Sequence, residues 1–202
     1  MMRMMKRLVQ AGFMVGLLAA GGAHAADAAK AAPTSVDTSG PSQLIESSAN
    51  ILLSGIDARR AEFRKDPTGL YALVESTLLP HFDTPYAAQL VLGQHWRTAT
   101  PEQRKRFVDA FYKSLLYTYG DAMVDFTGDR LKVIPTKVAV NYSMRKVNGA
   151  WKAWDVVIDG ISYVKSYRED YGAEVQQKGL DAVITRLEAK AQGAKSAKVK
   201  ST

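Results

Sequence analysis

None of the 202 residues is a cysteine. That absence removes disulfides, thiol nucleophiles, cysteine-ligated zinc and dithiol redox chemistry together. Histidine is nearly as scarce: three occur, and only His81 and His95 lie beyond the first 25 residues. No HExxH, no Gly-x-Ser-x-Gly and no glycine-rich phosphate loop is present. The commoner catalytic and metal-binding constellations are therefore missing. The chain reads as a non-enzyme that needs no cofactor.

An excess of one charge is also missing once the ends are set aside. Of the 27 Lys and Arg residues, Arg3, Lys6 and Arg7 lie at the start, and Lys190, Lys195, Lys198 and Lys200 follow the last acid, Glu188. What remains between Ala26 and Ala189 is 20 basic against 20 acidic residues, so the net charge of +7 is no argument for nucleic acid. No stretch is long and apolar enough to span a bilayer, which takes about 20 residues. The apolar run from Leu8 to Ala20 is shorter, follows three basic residues and ends in Ala23-His24-Ala25. That is the layout of a cleavable secretory signal over residues 1–25, and it implies export. Residues 26–40 read as a flexible leader and 191–202 as a disordered basic tail, leaving one domain over 41–190.

The first half of that domain has helical periodicity. Ile45, Ala49, Leu52, Ile56 and Phe63 recur on one face from Pro41 onward. Asp66-Pro67 opens a second helix carrying Leu70, Leu73, Val74 and Thr77, and Pro80 stops it. Asp83 or Thr84 caps a third that Gly93 closes. The fourth starts at Thr100-Pro101 with Gln103 completing a capping box, and it buries Phe107, Ala110, Phe111 and Leu115.

The period then changes. "RLKVI" reads as a short strand, and "KVAVNYSMR" alternates Val138, Val140, Tyr142 and Met144 against Ala139, Asn141, Ser143 and Arg145. Asn148-Gly149 marks a hairpin, whose returning strand sets Trp154, Val156 and Ile158 against Asp155, Val157 and Asp159. A two-residue loop throughout would place the two apolar rows on opposite faces. A three-residue loop with a glycine bulge pairs Met144 with Trp154, Tyr142 with Val156 and Val140 with Ile158, and that register is the prediction. Asp155 and Asp159 then point outward as solvent-side acids, about 13 Å apart at ~3.3 Å per residue, too far to act together on one bond. After Gly160, Ile161, Val164, Tyr167, Tyr171 and Val175 form a helical stripe, and a last helix spans about Leu180 to Lys190. Arg168 is expected to pair with Asp159 or Glu169. The class is α+β, a small curved antiparallel sheet between N-terminal and C-terminal helices, closing a cone around an apolar cavity.

"LLPHFDTPYAAQLVLGQHWRTATPEQRKRFVDAFYKSLLYTYGDAM" and "WKAWDVVIDGISYVKSYREDY" resemble the MlaC / toluene-tolerance family. The likeness rests on Leu79-Pro80 with Phe82-Asp83, Leu92-Gly93 with Trp96-Arg97, Pro101-Glu102-Gln103-Arg104, Tyr119, Trp151, Asp155, Gly160-Ile161-Ser162 and Tyr167-Arg168. The resemblance implies a periplasmic phospholipid carrier that serves outer-membrane lipid asymmetry. Its implied partners are phospholipid, an outer-membrane lipoprotein–porin complex and an inner-membrane ABC transporter. It also implies a cone of the NTF2-like kind. In that frame the expected acyl-chain lining is Phe111, Leu115, Val138, Val140, Tyr142, Trp154, Val156, Ile158 and Val164, with Arg145 and Lys165 toward the headgroup and the protein a monomer. One departure stands out: family members usually carry a further strand where only Thr136 and Lys137 separate Pro135 from Val138. The alternatives are an isomerase-type enzyme of the same cone-shaped class, or a binder of another hydrophobic ligand such as a sterol-like lipid or an aromatic solvent.

Overall fold

The computed structural model describes residues 35–125 and 139–199. The expected signal segment, most of the leader, the strand "RLKVI", the Thr136-Lys137 junction and Val138 lie outside them. Among the described residues no helix is long and apolar enough to cross a membrane.

Seven α-helices and a three-stranded sheet follow one another along the described chain: α1 Pro41–Lys65, α2 Thr68–Leu78, α3 Thr84–Leu92, α4 Gln94–Thr98, α5 Pro101–Asp125, β1 Val140–Val147, β2 Ala150–Ile158, β3 Ile161–Ser162, α6 Tyr163–Lys178 and α7 Leu180–Val199. Local chemistry sets the ends of several helices. Asp83 caps α3 by accepting from the Tyr86 N–H at 3.2 Å. Thr100 and Gln103 form the reciprocal box at the start of α5, with contacts of 3.2 and 2.9 Å. Gly93 ends α3 at φ +55°, a left-handed geometry that disfavours a Cβ.

Two apolar clusters share α5. One gathers Val91 and Leu92 of α3, Phe107 and Phe111 of α5, Tyr167 and Tyr171 of α6, and Ile184 and Leu187 of α7. Its centre is a ring stack in which Phe107–Phe111 and Tyr167–Tyr171 each stand 5.6 Å apart, and Phe111 meets Tyr167 edge-on at 5.3 Å. The other cluster joins Leu52, Ile56 and Phe63 of α1 to Leu70, Tyr71 and Val74 of α2 and to Leu116 of α5.

The sheet order is β1-β2-β3, all antiparallel. Val140 opposes Ile158 and Tyr142 opposes Val156, as the apolar rows require. The turn, however, has two residues, with Asn148 at φ +51° and Gly149 at φ +82°. The register shifts instead between Ser143 and Met144, so Met144 faces Ala153 and Trp154 is the extra residue of a bulge. The physical reason is twist: a turn with two positive φ values matches the strands' right-handed twist, so Asn-Gly keeps its short loop and the slip moves into β2. Asp159 (φ +51°) and Gly160 (φ +78°) make a second such turn into β3. Ile161 therefore lies on a strand and is 42% exposed, outside the helical stripe predicted for it. The last helix continues past Lys190 to Val199, with Ala191 buried, so residues 191–199 are helix and not the start of a disordered tail.

Candidate functional site

Asp155 gives the clearest correction. It is 4% exposed, not a solvent-side acid. Its carboxylate accepts from the Ser162 hydroxyl at 2.5 Å and from the Val164 N–H at 3.0 Å, while Ser162 itself caps α6 by accepting from the Lys165 N–H at 3.1 Å. The turn at Asp159-Gly160 folds β3 back beside β2, and that brings the helix start over Asp155. Both carboxylate oxygens are thus engaged with the end of α6, where the helix dipole favours a negative charge. This is a structural cap.

Arg145 is likewise occupied. Its Nε meets Asp83 Oδ2 at 2.6 Å and its guanidinium stands 3.9 Å from the Tyr86 ring centroid, while Trp154, turned by the bulge, packs edge-on against Tyr86 at 5.6 Å. With the Asp83 N–H bonded to Ala153 O at 2.7 Å, this group ties the start of α3 to the hairpin. Lys165 is exposed on the first turn of α6. Arg168 makes no ion pair with Asp159 or Glu169 among the described residues. Its guanidinium lies against Gly93, where an added Cβ would come within 2.9 Å of Nε.

The predicted lining residues divide into two groups. Phe111 (7% exposed) and Ile158 (2%) are buried, and Phe111 belongs to the ring stack. Val140, Tyr142, Trp154 and Val156 are half-buried and belong to neither apolar cluster, and burial pushes the Tyr142 hydroxyl up from its ordinary pKa. Leu115 and Val164 are half-buried at the margin of the first cluster.

The sequence reading also missed a stripe. Val108, Tyr112, Leu115 and Tyr119 recur at helical spacing on α5 and are all half-buried, beside the fully buried face of Phe107 and Ala110. The signal was present in the spacing, but the stronger Phe107–Phe111 face masked it. Val108 and Tyr112 face the hairpin residues Val147 and Lys152 across a cleft of about 430 Å³, which Leu79, Phe82 and Pro85 also line. The Tyr112 hydroxyl is buried without a hydrogen-bond partner, and burial, with Glu75 adding, raises its pKa. None of the eight predicted lining residues that are described borders this cleft. Among the described residues no group of acids and histidines is arranged to hold a metal ion.

Among the described residues, helices packed on a small antiparallel sheet with half-buried apolar rows define a protein of the α+β class. The family model described as MlaC protein matches residues 46–139 and 135–189. The chain belongs to the MlaC family. The two matched stretches overlap at 135–139. Over 179 residues the chain is 25% identical to the intermembrane phospholipid transport system binding protein MlaC of Haemophilus influenzae, covering 77% of this chain and 84% of that protein. It is 24% identical over 162 residues to the toluene tolerance protein ttg2D of Pseudomonas putida, covering 70% and 75%. The fold matches a phospholipid-binding protein from Ralstonia solanacearum, solved in complex with a phospholipid, with TM-score 0.64 and 19% identity over 74% of this chain and 96% of that one.

Proposed function

We propose that this chain is a periplasmic phospholipid carrier, exported by its N-terminal segment, that passes lipid between an outer-membrane lipoprotein–porin complex and an inner-membrane ABC transporter. The observation that carries this reading is the pair of half-buried apolar rows: Val140, Tyr142 and Val156 on the strands, which lie outside both packed clusters, and Val108-Tyr112-Leu115-Tyr119 on α5, whose first three members lie at the clusters' margins. The eleven steps from Val108 to Tyr119 at ~1.5 Å each give the α5 row a length of about 16 Å. One leaflet of a bilayer's hydrocarbon core, half of ~30 Å, is about as deep.

The energetic need is plain. At ~0.8 kcal/mol per methylene, two acyl chains with about 30 methylenes represent on the order of 20–25 kcal/mol of exposure to water. A carrier crossing an aqueous space must replace that with an equally apolar wall, whereas the charged head can remain in water. Lys165, exposed at the start of α6, is the cation we assign to the phosphate; Arg145 is committed to Asp83. Native mass spectrometry of the purified protein tests the reading. A bound mass matching a two-tailed phospholipid is expected, and a protein that arrives empty, or with a small aromatic or sterol-like ligand, would overturn it.

A further inference from the structure

Three tyrosine hydroxyls lie together where α5 meets the start of α6. Tyr119 OH and Tyr167 OH are 2.8 Å apart, and the Tyr163 and Tyr167 rings stand 6.3 Å apart. The Tyr163 hydroxyl is buried and has no hydrogen-bond partner. Burial, with Tyr119 adding, pushes its pKa up to about 12, so it carries its proton at neutral pH. A phenol has one proton to give. In the Tyr119–Tyr167 pair one proton is spent on the partner oxygen and the other remains to be given.

A buried donor without an acceptor costs more than a made hydrogen bond gains, so such a group calls for a partner. Its position says which partner. Tyr119 ends the apolar row of α5, Tyr163 precedes Val164 on α6, and Lys165 is exposed two residues further on. The apolar row of α5 therefore ends at a group of uncharged donors beside the start of α6. A diacyl phospholipid has the same junction, hydrocarbon meeting ester carbonyls.

Building on the carrier reading above, we infer that Tyr163, next to the Tyr119–Tyr167 pair, is a specificity-determining residue that donates to an ester carbonyl of the bound lipid. The protein thereby selects ester-linked over ether-linked chains. An ether oxygen is a far poorer acceptor, and a dialkyl lipid leaves the phenol unpaired.

The test offers the purified full chain vesicles containing equal amounts of a diacyl phosphatidylethanolamine and its dialkyl-ether counterpart with the same chain lengths. The extracted lipid is then read by mass spectrometry. Wild type should enrich the ester form roughly five- to tenfold, the range expected for one hydrogen bond gained or left unmade. The Tyr163→Phe variant, which keeps the ring, should extract the two forms about equally. Equal extraction by wild type, or full ester preference in Tyr163→Phe, overturns the inference while leaving the carrier reading in place. Extraction of neither lipid by wild type overturns both.

Discussion

The two sides of α5 differ in how completely they are used. Toward α3, α6 and α7 it carries Phe107 and Phe111, buried in a ring stack that leaves no surface to spare. A quarter-turn or so away, Val108, Tyr112, Leu115 and Tyr119 are left half-buried, as are Val140, Tyr142 and Val156 on the strands. Packing at interior density rigidifies, and the first side is the frame of the molecule. Burial on the second side is incomplete, and that is where the proposed ligand surface lies. If the carrier reading proposed above holds, frame and container share one helix, with residues one position apart assigned to opposite tasks.

Substitutions can break that comparison. Val156→Asp should abolish co-purifying lipid while circular dichroism shows unchanged helix content; lipid retained at the wild-type level would remove Val156 from the wall. Phe111→Ala should do the reverse, lowering unfolding free energy by about 3–5 kcal/mol as buried phenyl-to-methyl changes do, measured by urea denaturation. A Phe111→Ala protein of normal stability that lacks lipid would return Phe111 to the lining. Asp155→Ala leaves the Ser162 hydroxyl and the Val164 N–H without their acceptor, and a cost of about 1–3 kcal/mol is expected. Were Asp155 instead to bind ligand, stability would hold and lipid content fall.

The smallest effect lies on the rim of the frame. Arg106 grips Glu188 through two contacts of 2.9 and 2.8 Å, linking α5 to α7. Hydrogen bonding to Arg106 lowers the Glu188 carboxyl below its ordinary value of 4.5. A carboxylate with a depressed folded pKa adds stability that is present above the unfolded value and lost as pH falls through the folded one. Arg106→Gln should therefore lower the melting temperature slightly at neutral pH, with the gap to wild type closing as the pH drops below 4.5. Because the pair is partly open to solvent, high salt should narrow it too; a gap independent of both would mean that Arg106 acts by packing.

Much of the helical half was legible from local rules. Caps and breakers act within three or four residues, so Asp83, Gly93, Thr100 and Gln103 announce the helix ends they make. The sheet was harder. The apolar rows on Val140, Tyr142, Val156 and Ile158 identify the pairing, but the position of the extra residue is not a local property. Asp155 failed for the same reason, because its partners Ser162 and Val164 reach it only after a second tight turn. The resemblance identified the family, and the residues that carried it now have physical roles. Arg104 reaches Trp96 O at 2.9 Å, Tyr119 bonds Tyr167, and Asp155 and Ser162 start α6.

By itself, then, the sequence determined most element types, the helix ends that caps and breakers mark, the pairing of Val140 and Tyr142 with Ile158 and Val156 and the lack of cysteine chemistry, since period, turn residues and composition act over short range. Tertiary structure alone decided which apolar residues were consumed by packing and which were left half-covered. It also decided that Asp155 is buried against its partners and that Arg145 pairs with Asp83. Those outcomes depend on which neighbours arrive from distant parts of the chain, and a linear pattern of polar and apolar positions contains no term for that.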